Sequence, residues 1–281
     1  MNKMLNAKAF APDNSAVQFA PAKAAVIQGV EINIPTMDMA IDALIGAAKK
    51  AETFSCFTLN LDHLVKLRQS SSFREAYKTA KFVTADGAPV AALARRQWSQ
   101  IERTTGADLF VPLCKAAADH KLPVYFFGTS PETLRATQSA LLTQTGGRLQ
   151  IAGSESPPLG FDAEGPQSDA ALERIRASGA RLCFVMLGAP KQELMAARAV
   201  RAGIPCGFIG VGAAADFIAG TQSRAPEFMQ KSGLEWLWRL AHNPHRLIAR
   251  YVDCALLLAK LTATEWSRSR ADIATTRYPA P

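Results

Sequence analysis

Read for apolar and polar positions, the chain is a series of short apolar runs of strand length, most of them followed by a stretch with helical spacing. Val26-Ile27 and residues 30–34 flank Gly29 and predict a short strand pair, and residues 35–50 carry Met, Ile and Leu at helical intervals. Phe54–Leu59 predicts a strand that ends at Asn60. Helical patterns then cover Leu61–Gln69 and residues 72–80, the second opening from a serine cluster that can cap it. Phe82-Val83-Thr84 predicts the next strand, which ends at Ala85-Asp86-Gly87, and residues 88–96 and 108–120 read as helices around a polar loop at 99–105. Residues 124–127 run into Gly128-Thr129-Ser130-Pro131-Glu132. There either Thr129 with Glu132 makes a capping box or Ser130 with Pro131 makes a cap followed by proline, and both start a helix. A strand at 149–152, a Pro- and Gly-rich loop at 154–166 and a helix to about 178 lead to the apolar run beginning at Leu182. That run meets Gly188-Ala189-Pro190 and a polar helix start, Lys191-Gln192-Glu193, and residues 205–212 form one more strand-to-glycine turn.

Strands alternating with helices of this length predict an α/β fold: a Rossmann-like, mainly parallel sheet with helices on both faces. From about Arg224 the character changes to basic and aromatic, with Trp236, Trp238, Trp266, Arg239, Arg246 and Arg250, and Pro244 divides the helical pattern. The expected organisation is a flexible tail over residues 1–23, an α/β core over 24–223, and a helical, membrane-associating appendage over 224–281.

Composition narrows the function classes. The 281 residues are 48% hydrophobic, ordinary for a packed core. The formal charge of +8 points to an anionic partner without choosing among nucleic acid, lipid headgroups and a phosphorylated small molecule. The five cysteines are odd in number and lack C-x-x-C spacing, which predicts reduced thiols, no zinc site and a cytosolic protein. No apolar run reaches the length of a membrane span, and residues 1–23 lack the build of a signal peptide, so the chain is expected not to be exported.

Candidate chemistry sits where strands end. Asp86 follows a strand and precedes glycine, the place where an open α/β sheet offers a side chain to its ligand, although Asp-Gly is also a common turn pair. Asn60 has the same standing, and Thr58 lies on the same face of its strand. Gly128 and Gly188 end apolar strands and can bring N–H donors to a diphosphate, yet neither has the full G-x-G-x-x-G spacing. Lys191, Gln192 and Glu193 are either ligand contacts or ordinary first-turn residues. The four histidines, His63, His120, His242 and His245, show no metal-ligand or nucleophile spacing and are expected to be core or surface residues. Arg239, Arg246 and Arg250 recur at spacings of seven and four and serve a nucleic acid, an anionic membrane or a substrate diphosphate, or simply a solvated helix face.

Taken in order, Thr58-x-Asn60, Ala85-Asp86-Gly87-x-Pro89, Arg103-x-x-Gly106, Gly188-x-Pro190-Lys191-Gln192-Glu193, Asp216-x-x-x-Gly220, Arg224-Ala225-Pro226 and Glu235-Trp236-x-x-Arg239-Leu240 resemble the blocks of the WecG/TagA/CpsF bacterial glycosyltransferases. The resemblance runs from about Val26 to Tyr251. It implies inverting transfer of a hexose, N-acetylmannosamine or a related sugar, from a UDP-sugar to a polyprenyl-diphosphate-linked acceptor in cell-surface or exopolysaccharide synthesis. It further implies no metal and no cofactor, and a peripheral location on the inner face of the cytoplasmic membrane. By matching motif, Asp86 is the general base with Thr58 and Asn60 beside it, Arg103 and Gln192 contact substrate or diphosphate, and Asp216 contacts the nucleotide. Arg239 and Arg246 match arginines of an appendage that closes over the diphosphate and touches the membrane. One departure stands: many members carry an arginine around position 249, where this chain has Ala249 followed by Arg250. No nucleic-acid partner is expected, since that reading rests on net charge alone. A non-catalytic nucleotide-sugar or anionic-lipid binder is the competing class, and self-association stays open.

Overall fold

The computed structural model describes residues 23–277, except the side chains of Lys231, Arg246 and residues 264–277. The tail expected over residues 1–23 lies almost wholly outside that range. A small hairpin opens the fold: β1 (Ala25–Ile27) and β2 (Val30–Ile32) pair antiparallel across Gln28 and Gly29, both at positive φ. Helix α1 (Met37–Lys49), capped by Thr36, leads to β3 (Phe54–Leu59), α2 (Leu61–Gln69), α3 (Ser71–Lys78) and β4 (Phe82–Ala85). Then come α4 (Ala88–Gln97), α5 (Gly106–Asp119), β5 (Val124–Gly128), α6 (Pro131–Gln144) and β6 (Ile151–Glu155). The core closes with α7 (Pro166–Ala177), β7 (Leu182–Met186), α8 (Lys191–Arg201), β8 (Gly207–Gly210) and α9 (Ala214–Ile218). Three helices follow, α10 (Glu227–Lys231), α11 (Glu235–His242) and α12 (Pro244–Arg277).

Six strands form one sheet in the order β4-β3-β8-β7-β5-β6, and every pairing in it is parallel. A parallel sheet is stable with both faces covered, and the strands show why this sequence builds one. Along β3, Phe57 and Leu59 enter one apolar cluster while Phe54 and Cys56 enter the other; Cys183 and Val185 against Leu182 and Phe184 repeat the alternation in β7. Helices α2, α3, α4, α7 and α8 cover the first face, and α1, α5, α6 and α9 the second. The second face holds a ring cluster in which Phe110 meets Phe184 at 4.9 Å and Phe126 at 5.9 Å. Each such ring, fully buried, contributes roughly 1.5–3 kcal/mol. Since all six strands run the same way, the turns after β3, β4, β5, β7 and β8 converge on one edge of the sheet.

Several local expectations need correction. The strand expected at 149–152 forms at Ile151–Glu155, so the following loop starts later. As the sheet's edge strand, β6 takes its register from the ladder to β5, which shifts between Val124 and Tyr125, and its half-exposed residues, Ile-Ala-Gly-Ser-Glu, give too short an apolar signal to fix its bounds. The choice at the start of α6 goes to Ser130, whose Oγ accepts from the Thr133 N–H at 3.2 Å with Pro131 in the first turn. Helix α9 was not expected at all, being five residues long with no side-chain cap. The five cysteines are free thiols, and all are buried.

Of the C-terminal helices, α12 lies against the first face. Helix α12 packs on α2, burying Cys254 and Leu257, and Trp236 of α11 meets Tyr251 of α12 edge-on at 5.9 Å. Trp236, Leu237, Ile248, Val252 and Leu256 stay exposed along α11 and α12. Among the described residues no helix is long and apolar enough to cross a membrane.

Candidate active site

Asp86 sits at the end of β4, half-buried, with its own N–H donating to the Leu59 carbonyl at 2.8 Å across the β3–β4 ladder. Thr58 Oγ1 donates to Asp86 Oδ2 at 3.2 Å and Asn60 Nδ2 to the same oxygen at 3.4 Å. Among the described residues, Oδ1 has no hydrogen-bond partner. Asn60 does two jobs, because its Oδ1 also accepts from the His63 N–H at 2.9 Å and caps α2. The N-cap of α2 is thus Asn60 itself. An amide suits the position, offering a donor to the carboxylate and an acceptor to the helix start from one side chain. Gly87 follows at φ +81°, a conformation that releases the chain directly into α4.

Burial raises the pKa of Asp86 above its ordinary value; Arg239 opposes this most, then the Asn60 hydrogen bond, while Glu235 raises it and Arg103 lowers it. Asp86 therefore feels both the core and the C-terminal helices. Arg103, held by a backbone bridge to Ala85, pairs with Asp108 at 3.3 Å and Glu235 at 3.6 Å. Arg239 pairs with Glu235 one helical turn before it, and Arg224 with Asp108. The guanidinium groups of Arg224 and Arg239 both lie on the Phe217 ring, 5.8 and 5.9 Å from its centre. Three arginines, two carboxylates and a ring thus join α11 to the core beside Asp86. Glu235, Asp108, Arg224 and Phe217 are the members that the sequence did not single out for this site; the spacing of Glu235 to Arg239 was the available signal.

The remaining turns build the other side of the edge. At Gly128, φ is +123° and an added Cβ would lie 2.4 Å from the Met186 carbonyl oxygen, so only glycine fits between β5 and β7. Thr129, also at positive φ, donates from Oγ1 to Asp216 Oδ1 at 3.2 Å, and Thr221 Oγ1 donates to that oxygen at 3.3 Å. Gly188 and Lys191 are exposed, and a Cβ at Gly188 would meet no atom of the described residues within 4 Å. Gln192 is buried, its Oε1 accepting from the Gly212 N–H at 3.1 Å and its Nε2 donating to Glu193 at 2.7 Å. Arg250 lies on α12 and pairs with Asp62 of α2 at 3.0 Å. The Arg246 side chain is outside the described residues. Among those described, no three His, Cys, Asp or Glu side chains gather where they could hold a metal ion.

Residues 25–271 match the family model of the glycosyl transferase WecG/TagA/CpsF family. The chain belongs to this family. The match spans both the sheet that carries Asp86 and the helices that carry Arg239 and Arg250. Membership makes the protein a glycosyltransferase of cell-surface polysaccharide synthesis, a class that works with a nucleotide-sugar donor and a lipid-linked acceptor.

Proposed function

We propose that the protein transfers a hexose, of N-acetylmannosamine type or a related kind, from a UDP-sugar to a polyprenyl-diphosphate-linked acceptor. The transfer inverts the anomeric centre and uses no metal ion. The observation that carries this reading is Asp86: a carboxylate at the sheet's carboxyl edge, held by Thr58 and Asn60, with its pKa lifted by burial and arginines close by. A carboxylate whose pKa is raised by burial is a stronger base than an exposed one. It takes the proton of the acceptor hydroxyl as that oxygen attacks the anomeric carbon, and the bond to the UDP oxygen breaks on the opposite side.

Charge then collects on the leaving diphosphate. Arg103 and Arg239, which share Glu235 in this structure, are the groups to meet it, since a guanidinium stays cationic and pairs two oxygens at once. The turns at Gly128 and Gly188 offer backbone donors, Lys191 an exposed ammonium, and Asp216, steadied by Thr129 and Thr221, a nucleoside contact. Arg246 and Arg250 extend the basic character along α12. The exposed Trp236, Leu237, Ile248, Val252 and Leu256 support a further part of the reading, that α11 and α12 rest on the inner face of the cytoplasmic membrane.

The test is to incubate purified protein with a panel of UDP-sugars and membrane lipid extract and to follow UDP release. Turnover with one donor, dependent on lipid, is expected. Saturable UDP-sugar binding with no turnover on any acceptor would favour a non-catalytic binder instead.

A further inference from the structure

Glu193 is the most anomalous side chain in the core. It is 0% exposed, and among the described residues its Oε2 has no hydrogen-bond partner. Around it stand Asp62, His63 and Lys66 from α2 and Tyr77 from α3, with Arg250 of α12 acting on the neighbouring His63. The nearest is His63, whose Nε2 is 3.7 Å from Glu193 Oε1 while its Nδ1 shares a 2.6 Å hydrogen bond with the Tyr77 hydroxyl. Burial pushes the His63 pKa down to about 3, so the ring is neutral and gives a carboxylate no charge to pair with. Burial likewise lifts Glu193 to about 7. A buried carboxyl with an orphan oxygen is costly, and an apolar residue would fill the space at lower cost.

What the carboxyl supplies is an acceptor for one particular amide. The Gly212 N–H needs an oxygen, and Gln192 Oε1 provides it at 3.1 Å; Nε2 then points inward, where Glu193 Oε1 receives it at 2.7 Å. A flipped amide would set donor against donor and acceptor against acceptor. The β8 backbone makes room for this amide, because a Cβ at Gly210 would stand 3.0 Å from its carbon and nitrogen. Two residues beyond Gly212, α9 begins and carries Asp216 to Thr129. One series of hydrogen bonds thus ties the turn after β7 to those after β8 and β5.

We propose that Glu193 is a positioning residue for the donor side of the site: it fixes the Gln192 amide, through it the Gly212 N–H, and so the seat of α9 and Asp216. This rests on the reading that these turns hold the UDP-sugar. The test compares full-length wild type with Glu193→Leu, Glu193→Gln and Gln192→Leu. It uses hydrogen-exchange mass spectrometry of peptides over residues 207–218, calorimetry with UDP, and steady-state KM and kcat. Glu193→Leu is expected to expose the Gly212 turn to exchange, weaken UDP binding about ten-fold and raise KM far more than it lowers kcat. Glu193→Gln, which keeps an acceptor oxygen, should recover protection and affinity to within about two-fold, and Gln192→Leu should reproduce the loss from the other side of the bond. Wild-type protection and affinity in Glu193→Leu would overturn the proposal. So would a Glu193→Gln as defective as Glu193→Leu, and if Glu193→Leu does not fold, wild-type exchange in Gln192→Leu does the same. A wild type that binds no UDP would sink the donor reading, whereas the exchange comparison would still decide the positioning claim.

Discussion

Exchanging Glu193 for Gln should change how stability depends on pH, in a window set by two buried groups. Folding raises Glu193 from 4.5 to about 7 and lowers His63 from 6.5 to about 3, both chiefly by burial. For Glu193 the folded state holds a proton that the unfolded chain has released, so its contribution is complete below 4.5 and is lost as pH rises to about 7. For His63 the unfolded chain holds the extra proton, so its contribution is complete above 6.5 and is lost as pH falls toward 3. Between 4.5 and 6.5 the two slopes oppose and cancel, and the wild type should show a plateau from this pair. Glu193→Gln removes one slope. Its stability relative to wild type should rise by about 3 kcal/mol between pH 4.5 and 7, the worth of the Glu193 shift at roughly 1.4 kcal/mol per pH unit. Urea titrations at four pH values across that range measure it, since every other ionisable group is common to both proteins and drops out of the difference. A stability difference that stays constant from pH 4.5 to 7.5 would refute the reasoning.

Other perturbations read other parts of the molecule. Gly128→Ala puts a Cβ against the Met186 carbonyl at a φ that alanine avoids, and should cost about 3 kcal/mol in a urea melt; an unchanged midpoint would count against the close approach of β5 and β7. Arg239→Met removes the main charge holding the Asp86 pKa down, so the acid limb of the kcat/KM profile should move to higher pH, whereas Glu235→Gln should move it lower; shifts of one sign for both would contradict these charge roles. Trp236→Ser with Ile248→Ser should weaken sedimentation with anionic vesicles, and equal binding would show that this face does not rest on lipid.

Much of this architecture was legible along the chain because the physics that sets it is local. The apolar run at Phe54–Leu59 has the length of a buried parallel strand and became β3 to the residue, and the Leu182 run became β7. Ser130-Pro131 carried its helix start in the two residues themselves. What stayed hidden depends on partners far away in sequence. The position of β6 is set by its ladder to β5, and the five residues of α9 by packing on α5 and α6. Glu193 shows the limit most clearly: a carboxylate in the first turn of a helix normally faces water, and only the packing of α2 and α3 on α8 places it in the core. The site divides the same way. Asn60 and Asp86 could be singled out because each follows the end of a strand, and the family resemblance set Thr58 and Asn60 beside Asp86, while Glu235 beside Arg103 required the C-terminal helices to be laid on the core.

The central claim is that Asp86 removes the acceptor's proton. Its most direct test is the rate of sugar transfer by Asp86→Asn under saturating donor and lipid acceptor, alongside UDP affinity by calorimetry. The substitution keeps shape and hydrogen-bonding reach but cannot accept the proton, so kcat should fall by roughly 10²–10⁴ with UDP binding within about two-fold of wild type. Transfer by Asp86→Asn as fast as wild type would show that the base lies elsewhere.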